Sequence, residues 1–383
     1  MNTKIDLDWN TPDFICRVLD LAVEIQQVPA PTFLESQRAV HVHRLFLAEG
    51  LQDVSLDETG NVYGKLPGMG NCPPLVVTAH MDTVFQAGTS LSVRYENDSI
   101  HGPGIGDNSL GVAALLGLYW ALHKKQAANQ LPGDIWFAAN TCEEGLGNLR
   151  GMHAVVDRFG KSVLAYLVLE GMALGQVYHR ALGVQRYRIS VRTGGGHSWV
   201  DYGRPSAIHE LAGLVARLAT MPLPTRPRSS LNVGTIAGGT SINTIAAEAH
   251  MELDLRSEGA QALRDMAHRV ELLVQAANRQ GIEASCEVIG QRPSGKLSSL
   301  HPLVQLAKHS LEAQGIHPNL TIGSTDANLP ISLGYPSVCL GLTLGSGAHT
   351  LDEMIYTQPL KQGMAHLVDF ILGVFREFQG FIG

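Results

Sequence analysis

Residues 75–82 have the sequence LVVTAHMD, a short apolar run that is followed at once by a histidine and an aspartate. Three further runs share this apolar character: IWFAA at 135–139, LAYLVL at 164–169 and SVCLGL at 337–342. Runs of this length without polar alternation are typical of strands buried on both faces. Helical segments lie between them, such as SLGVAALLGLYWALHKK from Ser109. This alternation predicts an α/β fold with a mostly parallel sheet and flanking helices.

Two helices are predicted before the first of these strands. Thr11 followed by Pro12 is typical of a helix N-terminus, and apolar residues at helical spacing continue from there. A second helix is predicted from about Phe33 to Gly50. Towards the end of the chain, a further helix is predicted from Leu303 to Gln314.

From about Gly183 the pattern changes to a different kind of domain. VQRYRISVR alternates as a half-exposed strand does. It is followed by a predicted helix at 206–220, strands near Leu231 and at 247–256, a helix at 258–280 and a strand at 283–289. The order β-α-β-β-α-β is ferredoxin-like. We therefore predict a catalytic domain in two segments, 1–183 and 292–383, with an α+β lid and dimerisation domain inserted at 184–291.

Composition excludes several classes of partner. Lys plus Arg is 28 and Asp plus Glu is 35, so the formal net charge is −7, and no basic cluster favours nucleic acid. The N-terminal MNTKIDLDWN lacks the basic and apolar parts of a secretory signal. No stretch approaches the roughly 18 apolar residues of a membrane helix. These features predict a soluble, cytoplasmic protein.

The five cysteines are widely spaced and odd in number, which predicts reduced thiols in the core and neither a disulfide framework nor a CxxC zinc site. A metal ion would then need histidine and carboxylate ligands. Such residues follow the ends of the predicted strands, where parallel sheets gather functional groups: His80, Asp82, Glu143, Glu144, Glu170 and His349, with Asp107 just before a helix. Two histidines and three carboxylates are the inventory of a dinuclear zinc site with a bridging carboxylate.

These residues also have purely structural interpretations. His80 taken alone could be a buried histidine with satisfied hydrogen bonds. Glu143 and Glu144 could be an acidic pair at a helix N-terminus, and Asp107 could cap the helix that begins near Ser109. The pair His80 and Asp82 favours the metal site, because metal-bound histidines usually need a partner for the second ring nitrogen.

Nine motifs together resemble one known family: TAHMDTV, GPGIGDNSLGVAALL, EEGLGNLRG, LEG, GGHSW, TSIN, DLRSEG, STDAN and SGAHTLDE. They are similar to the signatures of the dinuclear-zinc peptidases and amidohydrolases, a family that includes peptidase T, glutamate carboxypeptidase, aminoacylase, acetylornithine deacetylase and succinyl-diaminopimelate desuccinylase. The resemblance spans nearly the whole chain.

The resemblance implies a role for each metal-site residue. His80, Asp107 and Glu170 would hold one zinc ion, and Glu144, Asp107 and His349 the other, with Asp107 as the bridge. Asp82 would accept the second ring N–H of His80, and Glu143 would be the general base.

In the inserted domain the resemblance implies that His197 stabilises the oxyanion in the active site of the partner subunit, and that Asn243 and Arg256 contact substrate. Arg256 could instead only pair with Asp254 or Glu258. An unpaired edge of the inserted sheet also favours a homodimer. No role is assigned to His101.

The predicted reaction is hydrolysis of an amide bond by a hydroxide that bridges two zinc ions, which Co²⁺ or Mn²⁺ could replace. The motifs resemble the peptidase T-like branch most, which implies a di- or tripeptide aminopeptidase. The alternative is an N-acyl-amino-acid deacylase of the acetylornithine deacetylase or aminoacylase kind. A non-catalytic zinc-bound binding protein is a third hypothesis, against which the presence of Glu143 argues.

Overall fold

The computed structural model describes residues 11–127 and 130–378. Within these residues the helices are α1 (Pro12–Gln26), α2 (Ser36–Glu49), α3 (Leu110–Ala127), α4 (Arg150–Phe159), α5 (Ala207–Ala219), α6 (Ala260–Gln275), α7 (Pro302–Ala313), α8 (Asn328–Ser332) and α9 (Leu360–Phe378). The strands are β1 (Gln52–Leu56), β2 (Val62–Leu66), β3 (Leu75–His80), β4 (Arg94–Glu96), β5 (Ser99–His101), β6 (Ile135–Asn140), β7 (Ala165–Glu170), β8 (Gln176–Ala181), β9 (Gly183–Thr193), β10 (Gly196–His197), β11 (Ser229–Gly238), β12 (Thr244–Ile245), β13 (Glu248–Ser257), β14 (Ile282–Arg292), β15 (Gly295–Lys296), β16 (Asn319–Gly323), β17 (Ser337–Gly341), β18 (Gly345–Ser346) and β19 (Met354–Tyr356).

The ends of the helices follow local chemistry. Thr11 Oγ1 accepts a hydrogen bond from the Phe14 N–H at 3.4 Å, and Pro12 occupies the first turn of α1, as predicted. Helix α2 begins three residues later than predicted, because Phe33 has a left-handed φ of 75°. Helix α6 ends at Gln275, before the predicted Gln280, and the Asn278 side chain then binds both backbone groups of Ala284.

The larger sheet has parallel strands at its centre. Its order runs β1-β2-β6-β3-β7-β17-β8. The pairs β3–β6, β3–β7 and β7–β17 are parallel, whereas β1–β2, β2–β6 and β17–β8 are antiparallel. The predicted α/β fold is confirmed. The hairpin of β1 and β2 was not predicted, because β1 is largely exposed and has no continuous apolar run.

Strand β3 is buried on both faces because its side chains alternate between two cores. Leu75 and Val77 pack in the core that contains α1, α3 and α9, whereas Val76 packs with α4 and α8 on the other face. Burying an aliphatic side chain of this size stabilises the fold by about 1.5–3 kcal/mol. The apolar run therefore fixes β3 in the middle of the sheet and places His80 at its carboxyl end.

One stretch, Ile105–Lys124, is long and apolar enough to cross a membrane by length and composition, which corrects the expectation that no such stretch exists. Of its most apolar part, 89% lies buried inside the protein. Helix α3, which makes up most of it, packs against α1, α9 and the sheet. The apolar character of this segment is therefore that of a central core helix.

The chain divides into two compact units, one of which is Ala181–Gly295. This unit has its own apolar core and a four-stranded antiparallel sheet of order β11-β13-β9-β14. Helices α5 and α6 pack against that sheet. In chain order the elements are β9, α5, β11, β13, α6 and β14. This order and pairing are those of a ferredoxin-like fold.

All five cysteines are free thiols. Cys142 and Cys339 are buried, and Cys72 and Cys286 are partly buried. Cys16 is an exception to the predicted core placement, because it lies on the exposed side of the amphipathic helix α1.

His366 on α9 should make stability depend on pH. Its ring is fully buried, its Nε2 lies 3.1 Å from the Gly341 carbonyl oxygen, and burial lowers its pKa from 6.5 to about 4. Between these pH values the unfolded chain binds a proton that the folded chain does not, so this contribution to the unfolding free energy is complete above pH 6.5. It should decrease by up to about 1.4 kcal/mol per pH unit as the pH falls toward 4.

The measurement is urea unfolding of the wild type and of His366→Gln at pH 7, 6 and 5, followed by tryptophan fluorescence. The glutamine keeps an amide donor for Gly341 but does not titrate. A wild-type curve that runs parallel to the variant curve over this range would contradict the assignment.

Candidate metal centre

The carboxyl ends of the central strands bring charged groups to one edge of the sheet. His80 is the last residue of β3 and lies beside Asn140, the last residue of β6. Glu170 is the last residue of β7. Because these three strands are parallel, the loops that follow them begin at the same edge, and they carry Asp82 and the pair 143–144.

Asp107 lies between two histidines. Its Oδ1 is 3.1 Å from His80 Nε2, and its Oδ2 is 3.0 Å from His349 Nε2. His80 Nε2 is also 3.8 Å from Glu170 Oε2, and His349 Nε2 is 2.9 Å from Glu144 Oε1. The five predicted ligands therefore form two groups of three, and both groups include Asp107.

Two irregular segments deliver Asp107 and His349 to this edge. Asp107 lies in a distorted turn before α3, and the peptide bond that follows it is cis. The next side chain, Asn108, donates to the Leu169 carbonyl at 2.8 Å and accepts from the Gly171 N–H at 2.8 Å. These bonds tie the turn to the end of β7. His349 has a left-handed φ of 65° in the loop between β18 and β19.

Glu353 holds the turn that carries Asp107. Its fully buried carboxylate accepts hydrogen bonds from three backbone N–H groups, those of Gly104, Gly106 and Asp107, at 2.7–3.0 Å. Burial raises its pKa to about 7. The sequence analysis assigned no role to Glu353, although it ends the motif SGAHTLDE. The signal that could have identified Glu353 was its position, four residues after the predicted ligand His349.

Asp82 is fully buried and has more contacts than the predicted one with His80. His80 Nδ1 lies 3.0 Å from the backbone carbonyl of Asp82 and 3.5 Å from its carboxylate. The carboxylate also accepts from the N–H groups of Glu143 and Glu144, at 2.9 and 2.8 Å, and from the Thr32 hydroxyl at 2.9 Å. Asp82 thus orients the ring of His80 through its carbonyl and the 143–144 loop through its side chain.

The carboxylates in this cluster are crowded, and the pKa values of the groups show that they favour nearby positive charge. Hydrogen bonds to Asp107 and Glu144 raise the pKa of His349 to about 10. Burial alone would lower the pKa of His80, but its contacts with carboxylates outweigh burial and hold that pKa well above its ordinary value. Burial raises the pKa of Glu170 to about 7.

Asp107 shows the opposite shift. Burial alone would raise its pKa, but hydrogen bonds from His349 and His80 hold it well below the ordinary value. The Asp107 carboxylate is therefore ionised, and the positive charge that offsets it comes from the two imidazoles. A divalent cation held by the same atoms would supply that charge in their place.

The donor atoms fit a transition-metal ion. Across the two groups of three, His80, Asp107 and Glu144 each offer one ligand atom, and these atoms lie within 4.8 Å of one another; this set takes residues from both groups and coincides with neither. Imidazole nitrogen and carboxylate oxygen are ligands that zinc takes in proteins. Glu143 is buried beside this group, with 5% of its surface exposed, and is not one of the three.

In the unit Ala181–Gly295, His197 and Asn243 lie together. Strand β10, which contains His197, pairs with β12, and the Ser198 N–H donates to the Asn243 carbonyl at 3.0 Å. Both residues are exposed. His197 Nδ1 accepts hydrogen bonds from the N–H groups of Trp199 and Val200 at 3.2 and 3.3 Å, which leaves Nε2 as the outward nitrogen.

Arg256 lies in a different part of the same unit. It is near the end of β13, where its register partner on β9 is Val184. Its Nε donates to Asp254 at 2.7 Å, the structural pairing that the sequence left open, and 41% of its side chain is exposed. His101, for which no role was assigned, contacts Arg94, Ser99 and Glu96.

Comparison with known proteins identifies the family of this chain. The model of peptidase family M20/M25/M40 matches residues 76–373. A candidate succinyl-diaminopimelate desuccinylase, DapE, of Mycobacterium tuberculosis is 24% identical over 344 residues, which cover 88% of this chain and 93% of that protein.

Two solved structures share the fold. A tripeptidase of Staphylococcus aureus superposes with a TM-score of 0.77 at 23% identity, over 95% of this chain and 99% of the other. YXEP of Bacillus subtilis, described as a dinuclear metal binding peptidase, superposes with a TM-score of 0.68 at 16% identity, over 96% and 99%. The match to this family model makes the protein a metallohydrolase. It belongs to peptidase family M20/M25/M40, which confirms the resemblance seen in the sequence.

The shared position of Asp107 generates a prediction about metal content. Asp107→Ala removes an oxygen from both groups of ligands, so it should lose all bound metal and lower the melting temperature, because bound metal stabilises the folded state by mass action. His349→Ala should lose only the metal held on its own side. Metal analysis after dialysis and a thermal melt measure both effects.

Asp352→Ala provides the matched control, since it removes an exposed carboxylate close to His349 in the chain. It should keep the wild-type metal content. Full metal retention in the Asp107 variant would show that Asp107 is not shared.

Proposed function

We propose that this protein is a dinuclear zinc aminopeptidase that cleaves di- or tripeptides. The observation that carries the proposal is the carboxylate of Asp107, which lies with one oxygen toward His80 and the other toward His349. The likeness to a tripeptidase supports the peptide substrate. The alternative, an N-acyl-amino-acid deacylase, is supported by the relative named as a candidate desuccinylase.

In this proposal His80, Asp107 and Glu170 hold one zinc ion, and Glu144, Asp107 and His349 hold the other. Zinc supplies a Lewis acid and lowers the pKa of bound water to about 7. Histidine and carboxylate ligands also accept Co²⁺ and Mn²⁺, so these ions are expected to substitute.

Glu143 acts as the general base. It takes a proton from the attacking water and delivers it to the leaving amine, which needs that proton to depart. Its placement beside Glu144 supports this role. The backbone N–H groups of Glu143 and Glu144 donate to the two oxygens of a single carboxylate, that of Asp82. One rigid loop therefore carries a metal ligand and the base side by side.

We further propose a homodimer in which His197 and Asn243 act on the substrate of the partner subunit. These residues lie near the Glu248 end of β13, because β12 directly precedes that strand. Arg256 lies near the other end, eight residues away (256 − 248 = 8), or about 26 Å of extended strand. A tripeptide spans at most about 11 Å. This separation supports a site in which the two groups come from different subunits.

Exposed apolar side chains beside His197 support the same conclusion. Trp199 and Tyr202 have exposed fractions of 85% and 90%, and Ile242 is fully exposed. Exposed apolar groups of this size that lie together are typical of protein interfaces. Two-fold symmetric contact between copies is the commonest way to cover such a surface.

We place the protein in the cytoplasm. Five free cysteines suit a reducing compartment.

A substrate panel tests the activity. Protein loaded with zinc, cobalt or manganese is assayed with di- and tripeptides and with N-acetyl and N-succinyl amino acids. We expect kcat/KM for the best peptide to exceed that for the best acyl amino acid at least tenfold, which is about 1.4 kcal/mol of transition-state stabilisation. The reverse order would favour the deacylase, and no hydrolysis of either class would favour the binding protein.

Two neighbouring variants separate the base from the ligand. Glu143→Ala should keep the wild-type metal content while kcat falls by about 10²–10⁴-fold, the usual loss on removing a general base. Glu144→Ala should lose metal. Loss of metal in the Glu143 variant instead would reverse the two assignments.

Complementation tests the trans arrangement. His197→Ala and Glu143→Ala should each be nearly inactive, but a mixed dimer contains one site with both groups intact. After statistical exchange of subunits, the mixture should recover up to about a quarter of wild-type activity. No recovery despite demonstrated exchange, or a monomer at assay concentration, would contradict the proposal.

A further inference from the structure

Four consecutive backbone N–H groups in the loop that carries Glu143 each donate to a side-chain oxygen. Thr141 N–H donates to Asn61 Oδ1 at 3.0 Å and Cys142 N–H to Glu35 Oε1 at 3.1 Å. The next two N–H groups donate to Asp82, as described above. No helix or strand contains residues 141–144, so these four bonds help to fix the backbone that carries Glu143.

The hydrogen bond from the Cys142 N–H to Glu35 occurs at a residue with an unfavourable backbone conformation. Cys142 has a left-handed φ of 56°, a conformation that is unfavourable for a residue other than glycine. Its thiol also contacts Glu35 Oε1, at 3.4 Å. Glu35 thus binds both the backbone N–H and the thiol of the residue directly before the proposed base, although it lies 107 positions away in the chain.

Arg38 supplies positive charge behind this loop. Its side chain is almost fully buried, and its guanidinium donates to the backbone carbonyls of Val28, Met81 and Gln26 at 2.8, 2.7 and 3.4 Å. Burial lowers its pKa only to about 10, so it stays charged at neutral pH, and it interacts electrostatically with Asp82 and Glu35. A buried charge of this kind is costly unless it offsets another.

Together these contacts link α2 to the metal edge. Glu35 immediately precedes α2 and Arg38 lies in its first turn. Through Arg38, the helix holds the carbonyl of Met81, between His80 and Asp82 in the chain. Through Glu35, it holds the N–H of Cys142.

We propose that Glu35 is a positioning residue for Glu143, acting through its hydrogen bond with Cys142 N–H, and that Arg38 provides the counter-charge that keeps this arrangement buried. The catalytic part of this inference rests on the proposed function. The structural part, that Glu35 fixes the 141–144 loop, does not.

Two conservative substitutions of opposite kind test the proposal. Glu35→Gln keeps an acceptor oxygen at the same reach and removes the charge, whereas Glu35→Asp keeps the charge and withdraws the oxygen by one methylene group. If the hydrogen bond to Cys142 is what matters, glutamine should preserve function and aspartate should not. Glu58→Asp makes the same chemical change at an exposed turn and serves as the control.

The first readout is amide hydrogen exchange of the full chain, resolved to residues 141–144. We expect the Cys142 N–H to exchange at least about tenfold faster in Glu35→Asp than in the wild type, with Glu35→Gln and Glu58→Asp unchanged within about threefold. This readout needs no substrate, so it tests the loop even if the proposed reaction is wrong.

The second readout is kinetics on the best substrate of the panel, with metal content measured alongside. In Glu35→Asp, kcat should fall about 10–100-fold, as for other residues that orient catalytic groups, while KM and metal content stay within about twofold of wild type. Glu35→Gln should keep kcat within about threefold.

Unchanged exchange and kcat in Glu35→Asp would overturn the proposal. A loss in Glu35→Gln as large as that in Glu35→Asp would also overturn it, because glutamine keeps the acceptor oxygen at the same reach. If the aspartate variant does not fold, Glu35→Gln decides alone. It supports the proposal if exchange and kcat are preserved, and overturns it if either is lost.

Discussion

The constraint on which the site depends is the concentration of negative charge at one buried edge of the central sheet. Asp82, Asp107, Glu144 and Glu170 lie there together, and like charges in a medium of low dielectric repel strongly. Two compensations are visible. His80 and His349 contact Asp107 from opposite sides, and backbone N–H groups donate to the acidic side chains that are not predicted ligands. The clustered negative charge is unfavourable when no cation is present, and the same charge makes this edge suited to binding cations.

The acidic residues therefore divide into two functional kinds. One kind points its oxygens at the imidazoles and is available to a metal ion. The other kind, Asp82, Glu353 and Glu35, accepts hydrogen bonds from loop backbone and fixes the positions of the first kind. Loops at a strand edge have no hydrogen-bonded ladder of their own, so buried carboxylates replace it. Charge-assisted hydrogen bonds are the stronger ones, which suits loops that must hold a reactive geometry.

In the ferredoxin-like unit, the relevant constraint is the length of strand β13. Its strand β13 separates Arg256 from His197 and Asn243 by more than the size of a small peptide. This separation along the strand, together with the apolar side chains that stand exposed around His197, is the basis of the proposal that two subunits contribute to each site.

The sequence by itself determined the α/β fold, the order of elements in the ferredoxin-like unit and the strand ends at which the polar residues lie. These are local properties of the sequence. A continuous apolar run such as 75–79 is typical of a strand that is buried on both faces, and the residues that follow the run lie at the carboxyl end of that strand. The antiparallel hairpin of β1 and β2 could not be predicted in this way, because its exposed residues carry no apolar pattern.

Only the tertiary structure decided which side chains meet. Glu353 binds Gly104 across 249 positions and Glu35 binds Cys142 across 107, and no sequence spacing relates such partners. The same is true of Asp82, whose carboxylate faces the 143–144 backbone more closely than the ring of His80. Residue types and strand ends limit what a site can contain. The distances between its atoms follow from how loops far apart in the chain pack at one edge, because those contacts form only when the sheet is assembled.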